Sequence, residues 1–185
     1  MKIHLGCWHR HIPGFIHIDE VDMPHIDFNS NISNLSFIND SSVDLIYCSH
    51  AFEYFDSNEA LKALSEWNRV LKQGATLRLS VPDFKSLIKV YQKTGDISKV
   101  LGPIYGRMKI KTRSNEKEIF HKTIYDEASL SYLLKNNGFY DIRKWDWRKT
   151  EHSMIDDHSQ AFYPHMQKDN GIQISLNIEC KKNDK

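Results

Sequence analysis

Apolar residues come in two rhythms along this chain. Predominantly apolar runs at residues 3–6, 15–18, 43–48 and 75–81, most of them ending at a small or polar residue, have the pattern of strands in a parallel sheet. A weaker run at 25–28 predicts one more strand. From Ala60 the spacing changes to Leu61, Leu64, Trp67 and Leu71, one face of a helix; Asp56 or Ser57 caps its start, Glu59 lies in its first turn and Gly74 ends it. Pro82 and Asp83 then break the strand at 75–81 and open a helix with Phe84, Leu87, Ile88 and Tyr91 on one face, closed by Gly95. A later helix starts near Asp126, turns Leu130, Leu133 and Leu134 inward and ends at Gly138, and strands near 141–145 and 172–180 complete the chain. Alternation places Trp145 and Trp147 on one sheet face, in a core role.

Two segments resist this pattern. Residues 96–120 are charged, contain Gly102, Pro103 and Gly106, and show little periodicity, so a mobile flap is expected. Residues 148–170 are rich in His, Asp and aromatic side chains and suit either a substrate-facing cap or a solvated surface loop. The link CWHRHIPG between the first two strands is shorter than the dozen or so residues a parallel crossover normally needs, so the first crossover helix is shortened or lost. The expected fold is one α/β domain over residues 1–185: a mostly parallel seven-stranded sheet with helices on both faces and a terminal antiparallel strand pair.

Composition narrows the function. With 25 basic and 24 acidic residues the net charge is +1, too small for a broad field that attracts nucleic acid or anionic lipid, and nucleic acid is not an expected partner. Cys7, Cys48 and Cys180 are odd in number and lie in or beside apolar strands, which suits reduced, buried thiols. No run approaches the about 18 apolar residues of a membrane span, and Met1 leads straight into the first strand without a signal peptide; a soluble, cytoplasmic protein is expected. The 10 histidines include His9 and His11, and Asp156, Asp157 and His158 form a second group, but no zinc-type spacing appears and no metal site is expected.

The candidate chemistry sits at the strand ends. KIHLGC stops at Gly6 and Cys7, FIHID stops at Asp19, SVDLIYCSHAFEYF carries Ser49, His50 and Glu53, and LKQGATLRLSVPD and HKTIYDEASLSYLLKNNGF follow. In order and spacing these segments resemble the class I S-adenosylmethionine-dependent methyltransferases, the small type 11-like branch, over most of the chain. The resemblance implies a Rossmann-like sheet and S-adenosylmethionine as cofactor. It implies that Gly6, with Cys7 and Trp8 in the turn, admits the methionine moiety, that Asp19 takes the ribose hydroxyls, and that Asn31 and Ile32 meet the adenine. Ser49 and His50 then lie where sulfonium and methyl acceptor meet. Asp19 also suits a helix cap or loop carboxylate, and Asn31 a plain turn residue. Trp8 stands where the family has a second glycine, and Tyr54 where it has histidine after Glu53.

If the acceptor is a hydroxyl, a base is useful, and the candidates are His50, His121, Asp156 and Asp157. The expected activity is methyl transfer to an oxygen or nitrogen of a small-molecule or glycan-type acceptor. The alternative is a catalytically silent module that binds a metabolite or a protein partner, motivated by Trp8. A nicotinamide-dependent dehydrogenase is a weaker reading, because LGCWHRHIPG lacks GxGxxG.

Overall fold

The computed structural model describes residues 1–183. In chain order its strands and helices are β1 (Lys2–Leu5), β2 (Ile16–Asp19), β3 (Phe28–Asn29), β4 (Val43–Ser49), α1 (Ser57–Val70), β5 (Leu71–Pro82), α2 (Phe84–Thr94), α3 (Ser98–Tyr105), β6 (Met108–Lys111), β7 (Glu116–Ile119), α4 (Glu127–Asn136), β8 (Phe139–Lys144), β9 (Phe162–Tyr163), β10 (Ile172–Gln173) and β11 (Ser175–Lys182). Seven strands form one sheet in the order β3-β2-β1-β4-β5-β11-β8. Neighbours from β3 to β5 run parallel, and β11 is antiparallel to both β5 and β8, which gives the expected terminal antiparallel pair.

Alternation along the strands divides the core. Ile3 and Leu5 of β1, Ile18 of β2 and Ile46 and Cys48 of β4 join the main cluster with Leu64, Trp67 and Val70 of α1 and Leu130 and Leu134 of α4. The opposite face carries Leu45 and Tyr47, and it is covered there by Ile12 and Phe15 of the β1–β2 link and by Trp145, Trp147 and Ile155. No helix forms in the β1–β2 link. His4 and His17 also face this side and are buried, although alternation with apolar neighbours gives them the pattern of solvent-facing positions. The two tryptophans do share one cluster, but Trp147 lies in a short 3-10 turn beyond β8, not on the strand.

The helices hold the loops around the carboxyl ends of the strands. Asp56 caps α1 through Asn58 and Glu59 in a full capping box. The buried Trp67 donates its indole N–H to the Ile32 carbonyl at 2.7 Å, and Arg69 donates to the carbonyls of Leu35 and Ile38 at 3.0 Å each, so α1 fixes the 31–38 loop. The helix ends at Val70 and β5 starts at once, so Leu71 and Gly74 belong to the strand, and Leu61 faces solvent at 44% exposure. In α2 the buried face is Ser86, Leu87 and Val90; of the expected face only Leu87 is buried, and Phe84, Ile88 and Tyr91 are exposed. Gly95 ends it in the left-handed conformation, as expected.

Residues 96–120 are not an irregular flap. They form α3 and the β6–β7 hairpin, and the hairpin is tied to the end of β2 by a bridge between Val21 and Thr112 and by the Asp22 amide donating to the Lys111 carbonyl at 3.0 Å. Residues 148–170 hold short 3-10 turns and β9, which pairs with β10. All three cysteines are free and buried. No helix among the described residues is long and apolar enough to cross a membrane.

Candidate active site

A cavity of about 750 Å³ opens at the carboxyl ends of β1, β2 and β4, where parallel α/β sheets place their ligands. The β6–β7 hairpin and the end of α3 wall its far side, and Asp157, His158 and Ala161 close it from the 148–170 segment. Gly6, Cys7, Trp8, Asp19, Asn31, Ile32 and Ser49, chosen from sequence for cofactor contact, all line it, as do His50 and His121.

Gly6 leaves β1 with φ near +63°, and a Cβ built there lies 2.3 Å from the Cβ of Ala51, so only glycine fits where the two strand ends meet. Trp8 follows, also at positive φ, with its indole 38% exposed at the cavity wall. The Trp8 amide donates to Asp19 Oδ2 at 2.8 Å and the Val21 amide to Oδ1 at 3.1 Å, so each carboxylate oxygen holds one backbone donor and keeps further acceptor capacity. Burial raises the Asp19 pKa above the ordinary carboxylate value, against the lowering effect of those amides. Asn31 Oδ1 accepts from the Ser33 amide at 2.9 Å and from its hydroxyl at 2.6 Å, while Nδ2 donates to Glu20 Oε1 at 3.3 Å. The side chain therefore closes a local turn at the rim. Ile32 beside it is buried.

At the end of β4, Ser49 Oγ is buried and has no hydrogen-bond partner among the described residues. His50 adopts φ of 51° and its amide donates to the Ser80 carbonyl at 2.8 Å. Its Nε2 lies 2.9 Å from Ser175 Oγ, and its Nδ1 faces Glu53 Oε1 at 3.4 Å. His121 is placed by the chain between β7 and α4, which is pinned to the turn after β4 because the amides of Lys122 and Thr123 both donate to the Glu53 carbonyl. Its Nδ1 is 2.9 Å from the Pro103 carbonyl, which requires Nδ1 to carry the proton and leaves the Nε2 lone pair facing Glu53 Oε1 at 3.6 Å. Gly106 is obligatory above this ring: a Cβ there falls 2.0 Å from His121 Nε2. Tyr54, in place of the histidine of the resembled family, packs edge-on against His121 at 4.6 Å and donates to the Gly106 carbonyl at 3.0 Å.

Both ring nitrogens of His50 and of His121 are thus directed at protein atoms, and the rings form wall. Burial holds both pKa values below the ordinary histidine value. His158 is tilted against His50 with ring centroids 5.1 Å apart and makes no side-chain hydrogen bond to another described residue. Its pKa is lowered by desolvation at the wall and by the nearby Arg10. Asp157 is buried, accepting from the Tyr47 hydroxyl at 2.5 Å and the Ser159 amide at 2.8 Å. Asp156 does not line the cavity; it is exposed and pairs with Lys168 at 2.8 Å. The rim charges pair off as Lys117 with Glu20, Arg107 with Glu118 and Lys122 with Glu59. Two residues escaped the sequence-based site list. Glu53 was visible only as the acid after SH, and His158 stood out only within an Asp and His cluster.

The family model described as a methyltransferase domain matches residues 17–79, from β2 through most of β5. A search of curated proteins finds no match by sequence. Among solved structures, an S-adenosylmethionine-dependent methyltransferase from Thermotoga maritima is 14% identical with a TM-score of 0.58, over 98% of this chain and 82% of that one. Another, from Methanosarcina mazei, is 19% identical with a TM-score of 0.56, over 100% of this chain and 92% of that one. The 1,6-didemethyltoxoflavin-N1-methyltransferase of Burkholderia thailandensis, solved with 1,6-didemethyltoxoflavin and S-adenosylhomocysteine, is 11% identical with a TM-score of 0.54, over 99% and 71%. The unpartnered Ser49 hydroxyl, the glycine-only turn and the carboxylate at the end of β2 stand together at the strand ends of this fold. The chain therefore has the class I S-adenosylmethionine-dependent methyltransferase fold, with its methyltransferase-domain match over residues 17–79.

Proposed function

We propose that the protein transfers a methyl group from S-adenosylmethionine to an oxygen or nitrogen of a small-molecule or glycan-type acceptor. The observation that carries this reading is the convergence on one cavity wall of a turn with room for glycine alone at Gly6, the buried Asp19 carboxylate and the unpartnered Ser49 hydroxyl. When bound, the cofactor supplies an electrophilic methyl group on a sulfonium sulfur. In this reading Gly6 and Cys7 let backbone approach the methionine part, and Asp19 accepts the ribose hydroxyls with the acceptor capacity its amide contacts leave free. Asn31 and Ile32 border the adenine, and Ser49 bonds the amino-acid end.

The remaining work is alignment of acceptor and methyl, which needs a shaped cavity more than a strong base. A hydroxyl acceptor must lose its proton, and His158 suits that task better than His50 or His121, because its ring nitrogens are not committed to protein atoms and it is neutral near pH 7. Calorimetric titration with S-adenosylmethionine and S-adenosylhomocysteine tests the reading. Both ligands should bind, and Asp19→Ala should weaken both by about ten- to a hundredfold, because the ribose is common to them. No binding of either ligand to the natural chain overturns the proposal and returns attention to a silent binding module.

A further inference from the structure

Glu53 is an anomalous buried side chain just outside the cavity. It sits on the 3-10 turn Phe52–Tyr54 after β4, directly behind the wall made by His50 and His121. It is 0% exposed, and neither carboxyl oxygen has a hydrogen-bond partner among the described residues. Its separations of 3.4 Å from His50 Nδ1 and 3.6 Å from His121 Nε2 are contacts, not well-formed hydrogen bonds. An ionised carboxylate there is an uncompensated buried charge, so the neutral acid is favoured, and burial pushes its pKa up to about 8.

The groups packed around it carry no charge near neutral pH. Burial keeps His50 and His121 neutral by lowering their pKa values. It keeps Cys48 of β4, Tyr54 on the same turn and Tyr125 ahead of α4 neutral by raising theirs. Within this set Glu53 alone holds a proton that an arriving cation would expel. The two imidazoles separate it from the cavity, and in these buried, uncharged surroundings a charge is felt more strongly than in water.

We infer that Glu53 is a latent counter-ion for the sulfonium, a positioning residue that makes the site prefer the cationic methyl donor over its neutral thioether product. This rests on the methyltransferase reading above. On donor binding the Glu53 O–H bond would break, the proton would pass to solvent and the carboxylate would remain behind the His50 and His121 rings as a negative charge. Once the methyl has left, the sulfur is neutral, the acceptor's own proton leaves through the base and on to solvent, and the Glu53 carboxylate takes one proton back from solvent. The preference for donor is then lost at the moment when product must leave.

Calorimetry at pH 7 in two buffers of different ionisation enthalpy counts the protons. The natural chain should release close to one proton per S-adenosylmethionine bound, as expected for an acid with pKa about 8, and none with S-adenosylhomocysteine. Glu53→Gln should bind the product unchanged, release no proton with the donor and bind the donor about tenfold more weakly. Difference infrared spectra of the natural chain provide a readout that does not depend on the variant: a protonated-carboxyl band should vanish on adding donor and persist on adding product. Equal proton counts for the two ligands, or an unchanged infrared band, overturn the inference while leaving the methyltransferase reading intact. Failure of both ligands to bind overturns both.

Discussion

A histidine at a cavity is defined by what its two nitrogens already hold. His121 donates through Nδ1 to the Pro103 carbonyl and turns Nε2 to Glu53, and His50 bonds Ser175 through Nε2 and turns Nδ1 to Glu53. Neither presents a free nitrogen to an acceptor, whereas His158 does. His158→Ala should lower single-turnover methyl transfer to an acceptor found by screening by about ten- to a hundredfold, while affinity for S-adenosylhomocysteine stays within about twofold. An unchanged transfer rate removes His158 from the mechanism. Gly6 and Gly106 illustrate the other residue-scale control. Each sits at positive φ where a Cβ would strike a neighbour, so glycine at these positions lets β1 approach β4 and lets α3 close onto His121.

At the scale of elements, the cavity owes its far wall to the β6–β7 hairpin. Its anchor is Ile110, which is buried against Cys7, Val21 and Ile26, and the Lys117–Glu20 pair at the rim adds a partly exposed contact of smaller worth. Ile110→Ala removes most of that apolar anchor, a loss of about 2–4 kcal/mol in comparable sites. The hairpin should then open locally, with amide hydrogen exchange over residues 108–119 faster by about tenfold or more and exchange in β4 and β5 unchanged. Equal protection of the hairpin in both proteins would show that Ile110 is not its anchor. The sequence concealed this hairpin because its strands, MKIK and EKEI, are charged on their outer positions and place a single buried residue, Ile110, in the core.

For the whole molecule, buried titratable groups set a pH window. Burial lowers the pKa of His4, His17, His50, His121 and His152 below the ordinary 6.5, so below that pH the unfolded chain binds more protons and stability falls with acid. Glu53 has the opposite sign: its pKa rises from 4.5 to about 8, so the folded state keeps a proton that the unfolded chain releases, and stability falls as pH rises through this range, by up to about 5 kcal/mol. The melting temperature should therefore drop from pH 6.5 to 5 in both the natural chain and Glu53→Gln, and more steeply in the variant, because the protonated Glu53 offsets part of the histidine effect in the natural chain. Between pH 6.5 and 8 only the natural chain should decline. Superimposable curves above pH 6.5 would refute the assignment of a buried neutral acid. The sequence by itself determined the parallel strands, the caps at Asp56, Asp83, Asp126 and Gly95, and the strand-end positions of Gly6, Asp19 and Ser49, because periodicity, capping and strand termination are local properties of the chain. It did not determine which side of a helical stripe finds a partner, so Leu61, Phe84, Ile88 and Tyr91 are exposed despite their spacing. Nor did it reveal the burial of His4 and His17, or the meeting of Glu53 with His121, whose segment follows the hairpin and α3 in sequence but packs against the end of β4. Those were decided by tertiary structure alone, because burial of a polar group and the approach of distant segments depend on what the rest of the chain packs around them.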